Sequence, residues 1–386
     1  MSIGLVMNPF APNSRQRSWS SFIAWTEWVF IPPLYILRAS CGEERFWSPG
    51  RLKQPSKTML IFTLSLMIFS GSPAASAPEQ PEGCGYMPEF RVGFIGLGLM
   101  GRPMTRRLMD AGYPAAVANR SRPAVEALAA EGAIACDSPA EVADRSGVVF
   151  TMLPDAPQVE EVVFGPDGLA ASMHEGSVLI DSTSNSPRSA EKVAAALAGR
   201  GVEMLDAPVS GAPEGAEQGT LAIMAGGPKA TFERCRSLLE ILGQKVVHVG
   251  EPPGSGCVAK LANQILVGLT FLGVGEAMVF GAKAGLDPAA LVEAMGAGLA
   301  RCGALEVKAP KILSGDFTPG GKVVTHTKDL RYAMEKAIEL NVPLPGTALV
   351  AQMFSELRAS GEGELDHIAI VRTLERMARV EARSKK

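Results

Sequence analysis

The fold of this chain is decided by one stretch, Val92-Gly93-Phe94-Ile95-Gly96-Leu97-Gly98-Leu99-Met100-Gly101. An apolar, β-branched run passes directly into Gly-x-Gly-x-x-Gly and then into a helical pattern, which is the order that binds a dinucleotide. Gly96 permits the tight turn, Gly98 lets the backbone approach a pyrophosphate, and Gly101 lets the helix pack on the strand. The helix N-terminus stabilises the phosphate charge. A dinucleotide site is therefore predicted, formed by Gly96, Leu97, Gly98, Leu99, Met100 and Gly101.

A second predicted strand, Ala115–Ala118, ends at Asn119, about where such a site contacts the adenosine ribose. An acid at this position accepts hydrogen bonds from the ribose hydroxyls and repels a 2′-phosphate, whereas Asn119 is neutral. Arg120 and Arg122 follow closely, and a guanidinium binds phosphate oxygens in a bidentate fork. Together with Ser121, these residues predict the adenosine site and a preference for NADP over NAD. The alternative is that both arginines are solvated loop charges.

From Phe90 onward, short apolar runs alternate with alanine-rich helical patterns such as Arg102–Ala111 and Pro187–Gly201. Alternation of this kind builds a doubly wound, mostly parallel sheet. The predicted strands are Arg91–Ile95, Ala115–Ala118, Val148–Met152, Ser177–Asp181, Val202–Leu205, Leu221–Ala225 and Val246–Val249.

The strand signals stop after Pro252-Pro253-Gly254. Residues 256 to 284 form a predicted long apolar helix, interrupted by glycines that weaken an isolated helix but let partner helices approach closely. Further helical patterns cover Pro288–Met295, Lys328–Leu340 and Thr347–Ala359. The predicted fold class is therefore α/β, with a doubly wound Rossmann-type domain followed by an all-α domain. We place the dinucleotide-binding domain at 87–251 and the helical substrate and dimerisation domain at 252–386, joined through the long helix.

Lys260 is the only charged residue between Glu251 and Glu276. An ammonium among apolar neighbours loses hydration, which lowers its pKa towards the range where a lysine exchanges protons near neutrality. Asn263 lies on the same helix face, three residues further on. The alternative is a lysine that snorkels at a helix start. Because Lys260 falls at the junction of two predicted domains, where small substrates usually bind, it is the predicted chemical centre.

Several polar segments follow the predicted strands at their carboxyl ends, where open sheets of this type bind ligands. Successive backbone N–H groups at Ser210, Gly211 and Ala212 predict an anion nest that suits a small carboxylate; an ordinary Gly/Pro turn is the alternative. Thr151-Met152-Leu153-Pro154 and Asp181-Ser182-Thr183-Ser184 lie on the same rim, either as ligand contacts or as polar loop caps. A further predicted helix begins at Lys328-Asp329-Leu330. The alternative interpretation is that Lys328 and Asp329 form a charge pair on the surface.

The composition of the 386 residues limits the possible partners and cofactors. The chain is 47% hydrophobic with a formal charge of −3, so no basic excess points to nucleic acid. The six cysteines and four histidines are dispersed, which predicts no metal site and no disulfide framework, as in a reducing compartment. We expect a cytoplasmic protein without a membrane or nucleic-acid partner.

Residues 1–86 differ in composition from the rest and contain all four tryptophans. Lys57, the apolar run 59–69 and Ala-Ala-Ser-Ala at 74–77 have the outline of a secretory signal, although it begins more than 50 residues into the chain. The apolar run is too short to span a bilayer as a helix. We expect an over-long reading frame whose true start is Met87; a targeting segment or a disordered extension are the alternatives.

Four separated motifs make residues 88–382 resemble the β-hydroxyacid dehydrogenases. They are Phe-Ile-Gly-Leu-Gly-Leu-Met-Gly, Asp-Ala-Pro-Val-Ser-Gly, Val-Ala-Lys-Leu-Ala-Asn-Gln and Thr-Lys-Asp-Leu, in this order and spacing. Within the family, segments 296–305, 317–320 and 357–367 are most similar to tartronate semialdehyde (2-hydroxy-3-oxopropionate) reductases. Two positions depart from the pattern. Ala212 replaces a glycine usual in the substrate loop, and Asn119-Arg120 stands where some members carry an acid.

The resemblance implies an oxidoreductase that transfers hydride between NADP(H) or NAD(H) and a small aldehyde or 3-hydroxy acid. It implies that Lys260 protonates the developing alkoxide, that Asn263 holds the substrate hydroxyl or carboxylate, and that the 210–212 nest anchors the carboxylate. It further implies that the cofactor is lined by Leu153, Pro154, Ser184 and Lys328. A homodimer or homotetramer is expected.

Other readings of the same motifs remain open. 3-Hydroxyisobutyrate, glyoxylate and succinic semialdehyde are alternative substrates, because one methyl or hydroxyl changes discrimination by only ~1–3 kcal/mol in an apolar pocket. A non-catalytic nucleotide-binding scaffold is disfavoured by the presence of Lys260 and Asn263. A decarboxylating dehydrogenase of the 6-phosphogluconate type needs a cationic phosphate clamp and a longer helical domain, neither of which is evident.

Overall fold

The computed structural model of the chain describes residues 91–384, and the expectations for residues 1–86 lie outside this range. The described part contains a nine-stranded sheet with the order β3-β2-β1-β4-β5-β6-β8-β7, in which β9 also pairs with β8. The strands are β1 Val92–Ile95, β2 Ala115–Ala118, β3 Ile134–Ala135, β4 Val148–Thr151, β5 Val178–Asp181, β6 Glu203–Asp206, β7 Val209–Ser210, β8 Ala222–Gly226 and β9 Lys245–Gly250.

The sheet is parallel from β3 through β6 and between β8 and β9, while β8 is antiparallel to β6 and to β7. All seven predicted strands are present, each within about one residue of its predicted bounds. The two strands that were not predicted, β3 and β7, have two residues each.

Eight helices accompany the strands in the first domain, and six follow β9. They are α1 Gly101–Asp110, α2 Arg122–Ala129, α3 Pro139–Asp144, α4 Ala156–Phe164, α5 Leu169–Ser172, α6 Pro187–Ala198, α7 Ala212–Gln218, α8 Lys229–Leu242, α9 Ser255–Lys283, α10 Pro288–Gly296, α11 Gly303–Ser314, α12 Val323–Leu340, α13 Pro345–Ala359 and α14 Ile370–Ala378. A short 3₁₀ turn, His367–Ala369, precedes α14. The prediction of a Rossmann-type sheet followed by an all-helical domain is confirmed.

Separate apolar clusters cover the two faces of the sheet, and a third fills the helical domain around α9. The predicted long helix over residues 256–284 is confirmed, because α9 runs through its glycines as one element of 29 residues. A Cβ at Gly268 would lie 3.0 Å from His326 Nε2, and one at Gly275 would lie 2.9 Å from Leu374 Cδ1. Close approach therefore explains these two glycines, whereas no atom lies within 4 Å of a Cβ at Gly273.

Within the described residues, α9 is the only helix whose length and composition suit a membrane span. It packs against α11, α12, α13 and α14, so part of its apolar surface is buried in the core of the helical domain.

Candidate active site

The loop between β1 and α1 has the form that a pyrophosphate needs. Gly96 has a φ of +98°, and a Cβ there would lie 2.2 Å from the Met152 carbonyl oxygen. A Cβ at Gly101 would lie 1.8 Å from the Gly96 carbonyl oxygen, whereas the space beside Gly98 is open. The backbone N–H groups of residues 98–101 donate no hydrogen bond within the described part of the chain. An anionic cofactor group fits this loop.

Asn119 holds that loop from the neighbouring strand. Its Oδ1 accepts a hydrogen bond of 3.0 Å from the Leu97 N–H, and its Nδ2 donates to the Ser121 carbonyl at 3.2 Å. Arg120 is exposed, with no carboxylate of residues 91–384 within 4.0 Å of its guanidinium. Arg122 instead pairs with Asp137 and lies 3.6 Å from Glu126. Among the described residues at this end of β2, Arg120 is therefore the arginine whose guanidinium makes no ion pair.

The ends of β4 and β5 are tied together by buried polar groups. Asp181 is fully buried and accepts hydrogen bonds from Thr151 Oγ1 at 2.9 Å and from Asn185 Nδ2 at 2.9 Å. Burial raises the pKa of its carboxyl group, an effect that these donors oppose. Thr183 Oγ1 accepts a hydrogen bond from the Leu153 N–H at 3.0 Å. The loop-cap interpretation therefore holds for Thr151, Asp181 and Thr183.

Lys328 reaches from α12 of the helical domain to these strand ends. Its ammonium donates to the Pro154 carbonyl oxygen at 3.1 Å and to the Ser184 carbonyl oxygen, and it lies 3.4 Å from the Asp329 carboxylate. The interpretation as a surface charge pair is wrong, because the side chains of Lys328 and Asp329 are only 11% and 2% exposed. The predicted residues Pro154, Ser184 and Lys328 are thus in direct contact.

Asp206 fixes the start of α9, a role that the sequence did not reveal. Its Oδ1 accepts from the Gly254 N–H at 2.9 Å and its Oδ2 from the Cys257 N–H at 2.8 Å. Burial raises the pKa of this carboxyl group to about 6, although both N–H donors favour the charged form. The same strand, β6, leads into the 210–212 segment, so Asp206 connects that segment to the helix that carries Lys260.

Lys260 lies in the second turn of α9 and is 7% exposed. Its ammonium makes no hydrogen bond or ion pair with another residue of the described range. Burial lowers the pKa of Lys260; the Asp329 carboxylate opposes this shift, and the Lys328 ammonium reinforces it. This burial contradicts the snorkelling alternative and leaves an ammonium free for a ligand.

Gln264 was missed by the sequence analysis, although it lies one turn after Lys260. Its Oε1 accepts a hydrogen bond of 3.0 Å from Asn263 Nδ2, and its Nε2 donates to Asp329 Oδ2 at 2.6 Å. Gln264 and Asp329 are 9% and 1% exposed. Asn263 therefore belongs to a buried polar chain that crosses from α9 to α12.

The 210–212 segment has the free donors expected of a nest. Gly211 has a φ of +146°, and Ala212 adopts the left-handed region with a φ of +58°. Within the described residues, the N–H groups of Gly211 and Ala212 and the hydroxyl of Ser210 donate no side-chain or loop hydrogen bond.

No group of three or more His, Cys, Asp or Glu side chains within residues 91–384 is arranged to hold a metal ion.

Comparison with known proteins agrees with this geometry. Residues 91–250 match the NAD binding domain of 6-phosphogluconate dehydrogenase, and residues 254–374 match the family described as NAD-binding of NADP-dependent 3-hydroxyisobutyrate dehydrogenase. The 2-hydroxy-3-oxopropionate reductase of Escherichia coli (strain K12) is 41% identical over 289 residues, which is 75% of this chain and 98% of that protein.

Two solved structures are similar over almost their full length. The 3-hydroxyisobutyrate dehydrogenase from Salmonella typhimurium is 32% identical with a TM-score of 0.68, covering 73% of this chain and 99% of that one. Psf3, solved in complex with NADP+ and 2-OPP, is 28% identical with a TM-score of 0.67 and the same two coverages, 73% and 99%. An NAD(P) cofactor therefore fits the loop between β1 and α1.

Proposed function

Because this chain belongs to the β-hydroxyacid dehydrogenase family and is an NAD(P)-dependent oxidoreductase, we propose that it reduces 2-hydroxy-3-oxopropionate to glycerate. The observation that carries the proposal is Lys260, a buried ammonium with no partner among residues 91–384, on the helix that begins at the dinucleotide domain. The 41% identity to the reductase of Escherichia coli supports this substrate.

The bound nicotinamide supplies the hydride for reduction and accepts it in the reverse direction. Lys260 donates a proton from its ammonium to the substrate oxygen as negative charge develops there, and takes it back when an alcohol is oxidised. A pKa lowered by burial favours both transfers, since an acid–base group works best with a pKa near the operating pH. Lysine also stabilises the developing charge before the proton moves.

The remaining site residues bind and orient. Ser210, Gly211 and Ala212 hold the substrate carboxylate with their free donors, and Asn263 contacts the substrate beside Lys260. Residues 96–101 would hold the pyrophosphate, and Asn119, Arg120 and Ser121 would bind the adenosine ribose. Leu153, Pro154, Ser184 and Lys328, of which Lys328 contacts the Pro154 and Ser184 carbonyl oxygens, would hold the rest of the cofactor.

Steady-state kinetics of Lys260→Met test the catalytic role. We expect kcat to fall about 10²–10⁴-fold while the cofactor Kd stays nearly unchanged, because the proton goes to the substrate. Lys283→Met is the matched control, since Lys283 is an exposed lysine near the other end of the same helix. A Lys260→Met enzyme that keeps more than about a tenth of the rate would falsify the assignment.

The substrate is tested by comparing kcat/KM for four compounds, namely 2-hydroxy-3-oxopropionate, succinic semialdehyde, glyoxylate and 3-hydroxyisobutyrate. We expect the first to have the highest value. A higher value for 3-hydroxyisobutyrate would instead favour the second candidate function, which the match of residues 254–374 supports. Absence of turnover with all four would favour a nucleotide-binding scaffold.

We also propose that NADP is preferred over NAD. Asn119 places no negative charge beside the ribose 2′ position, and the Arg120 guanidinium is free to bind a phosphate there. The wild-type kcat/KM for NADPH should exceed that for NADH. A preference for NADH would refute the assignment of Arg120.

We propose that the protein forms a homodimer through α9. We also propose that it works in the cytoplasm, where a nicotinamide pool is maintained. Leu266 and Phe280 are 67% and 77% exposed on one face of this helix, with the open Gly273 between them. Sedimentation equilibrium should give a dimer that Leu266→Glu dissociates, whereas Val307→Glu, at an equally exposed site on α11, should not. A mature form cleaved after Ala77 outside the cytoplasm would contradict the location.

A further inference from the structure

We propose that Gln264 is a positioning residue that orients Asn263, so that Asn263 Oδ1 accepts a hydrogen bond from the 2-hydroxyl of the substrate. This inference rests on the proposed function, because it takes 2-hydroxy-3-oxopropionate as the substrate. Asn263 Oδ1, oriented by Gln264, would discriminate between semialdehydes with a 2-hydroxyl and semialdehydes without one.

The donors and acceptors of the buried chain permit only one orientation of each amide. A carboxylate accepts hydrogen bonds and donates none, so Gln264 must turn its NH₂ towards Asp329 at 2.6 Å. Its carbonyl oxygen then faces Asn263, which must present its own NH₂ at 3.0 Å. Asn263 Oδ1 is thereby directed away from Gln264. Within residues 91–384 it accepts no hydrogen bond, so it is the free acceptor of the chain.

Asp329 is fixed in turn by its other neighbour. It lies 3.4 Å from the Lys328 ammonium, which donates to the Pro154 and Ser184 carbonyl oxygens of the strand-end loops. Asp329 and Gln264 are both buried, so water does not compete for these contacts. The contacts from Gln264 through Asp329 and Lys328 therefore connect the orientation of Asn263 to the loops that line the proposed cofactor site.

The free acceptor selects which substrate group it can bind. The reacting oxygen is a carbonyl in the aldehyde and donates no hydrogen bond there, whereas the 2-hydroxyl is a donor in both aldehyde and alcohol. A carboxylate is also only an acceptor. Of the groups on the proposed substrate, the 2-hydroxyl is the one that suits Asn263 Oδ1 before and after the reaction.

The test compares 2-hydroxy-3-oxopropionate with 3-oxopropionate, which lacks the 2-hydroxyl, through the ratio of their kcat/KM values. The wild type should prefer the hydroxylated compound by on the order of tenfold or more, since the analogue cannot donate a hydrogen bond to Asn263 Oδ1 and would leave this acceptor unpaired in the complex. Gln264→Met keeps the length of the side chain without its hydrogen bonds, and it should reduce the ratio about as far as Asn263→Ala does. The double variant should lower the ratio no further, because both changes remove the same interaction.

Additive losses in the double variant would mean that Gln264 contacts the substrate itself and would overturn the proposal. An unchanged ratio in Gln264→Met would overturn it as well. A structural defect alone would lower the melting temperature and weaken NADPH binding without changing the ratio. If Gln264→Met does not fold, Gln264→Asn, which is one methylene too short to span both partners, serves as the second variant. Failure of the proposed function is distinct, because the wild type would then not turn over 2-hydroxy-3-oxopropionate, whatever its rate with 3-oxopropionate.

Discussion

Asp206 makes the stability of this protein depend on pH in an unusual direction. The carboxyl group is buried at the start of α9, and burial raises its pKa from 3.8 to about 6. The folded state therefore holds the proton of Asp206 more tightly than the unfolded state does. This contribution to stability is fully present below pH 3.8 and is lost as the pH rises through about 6.

The shift of about two pKa units corresponds to about 3 kcal/mol, at ~1.36 kcal/mol per unit. Asp206→Asn removes the titration but keeps the size of the side chain. Its amide leaves one of the two N–H donors, Gly254 or Cys257, without an acceptor, which lowers stability by an amount that does not vary with pH. The variant should therefore gain most of this difference of about 3 kcal/mol relative to wild type between about pH 4 and about pH 7.

Urea unfolding followed by far-UV circular dichroism at several pH values measures this difference. Asp316→Asn is the control, because hydrogen bonds from Thr318 lower the pKa of the exposed Asp316 carboxyl group and confine its titration to more acidic pH. Its difference from wild type should stay flat over the same range. If the Asp206→Asn difference is also flat, or falls as the pH rises, then the carboxyl group is not held neutral by burial.

The remaining predictions concern the substrate loop, the cofactor and the N-terminal region. Ala212→Gly should raise the free energy of unfolding by about 0.5–1 kcal/mol, because relief of ~1–2 kcal/mol of left-handed strain exceeds the entropy that glycine adds to the unfolded chain; a lower urea midpoint would contradict this. Arg120→Asp should raise KM for NADPH far more than for NADH, and Arg122→Asp should do so less because Arg122 pairs with Asp137; equal changes for the two cofactors would refute it. Removal of residues 1–86 should leave a folded, active enzyme, since β1 begins at Val92; a truncated chain that does not fold would show the opposite.

Most of the fold followed from local patterns. The seven longer strands were predicted within about one residue, because each contains an apolar run next to a turn signal. β3 and β7 were missed because two residues carry no periodicity, and they form strands only by pairing with β2 and β8. The start of α12 at Val323 was placed five residues late, since Lys328 is an interior residue held by contacts with the other domain.

The site was predictable where chemistry is local and not where it depends on distant partners. Gly96, Gly98 and Gly101 were recognised because the spacing of three glycines is itself the motif. Gln264 and Asp329 are 65 positions apart, so nothing in either segment indicated that they meet. Arg122 was considered as a phosphate ligand together with Arg120, and its pairing with Asp137 was not visible from residues 115–122.

Because Asp206 caps the N-terminal end of α9, a tilt of the helix about that end moves each residue in proportion to its distance from it. Its 29 residues extend about 43 Å, and Lys260 lies only about 8 Å from the end that Asp206 caps. A tilt of one degree about that cap moves the far end of the helix by about 0.7 Å but moves Lys260 by only about 0.1 Å. For tilts about this cap, the position of Lys260 relative to the dinucleotide domain is therefore far less sensitive than the position of the far end of the helix.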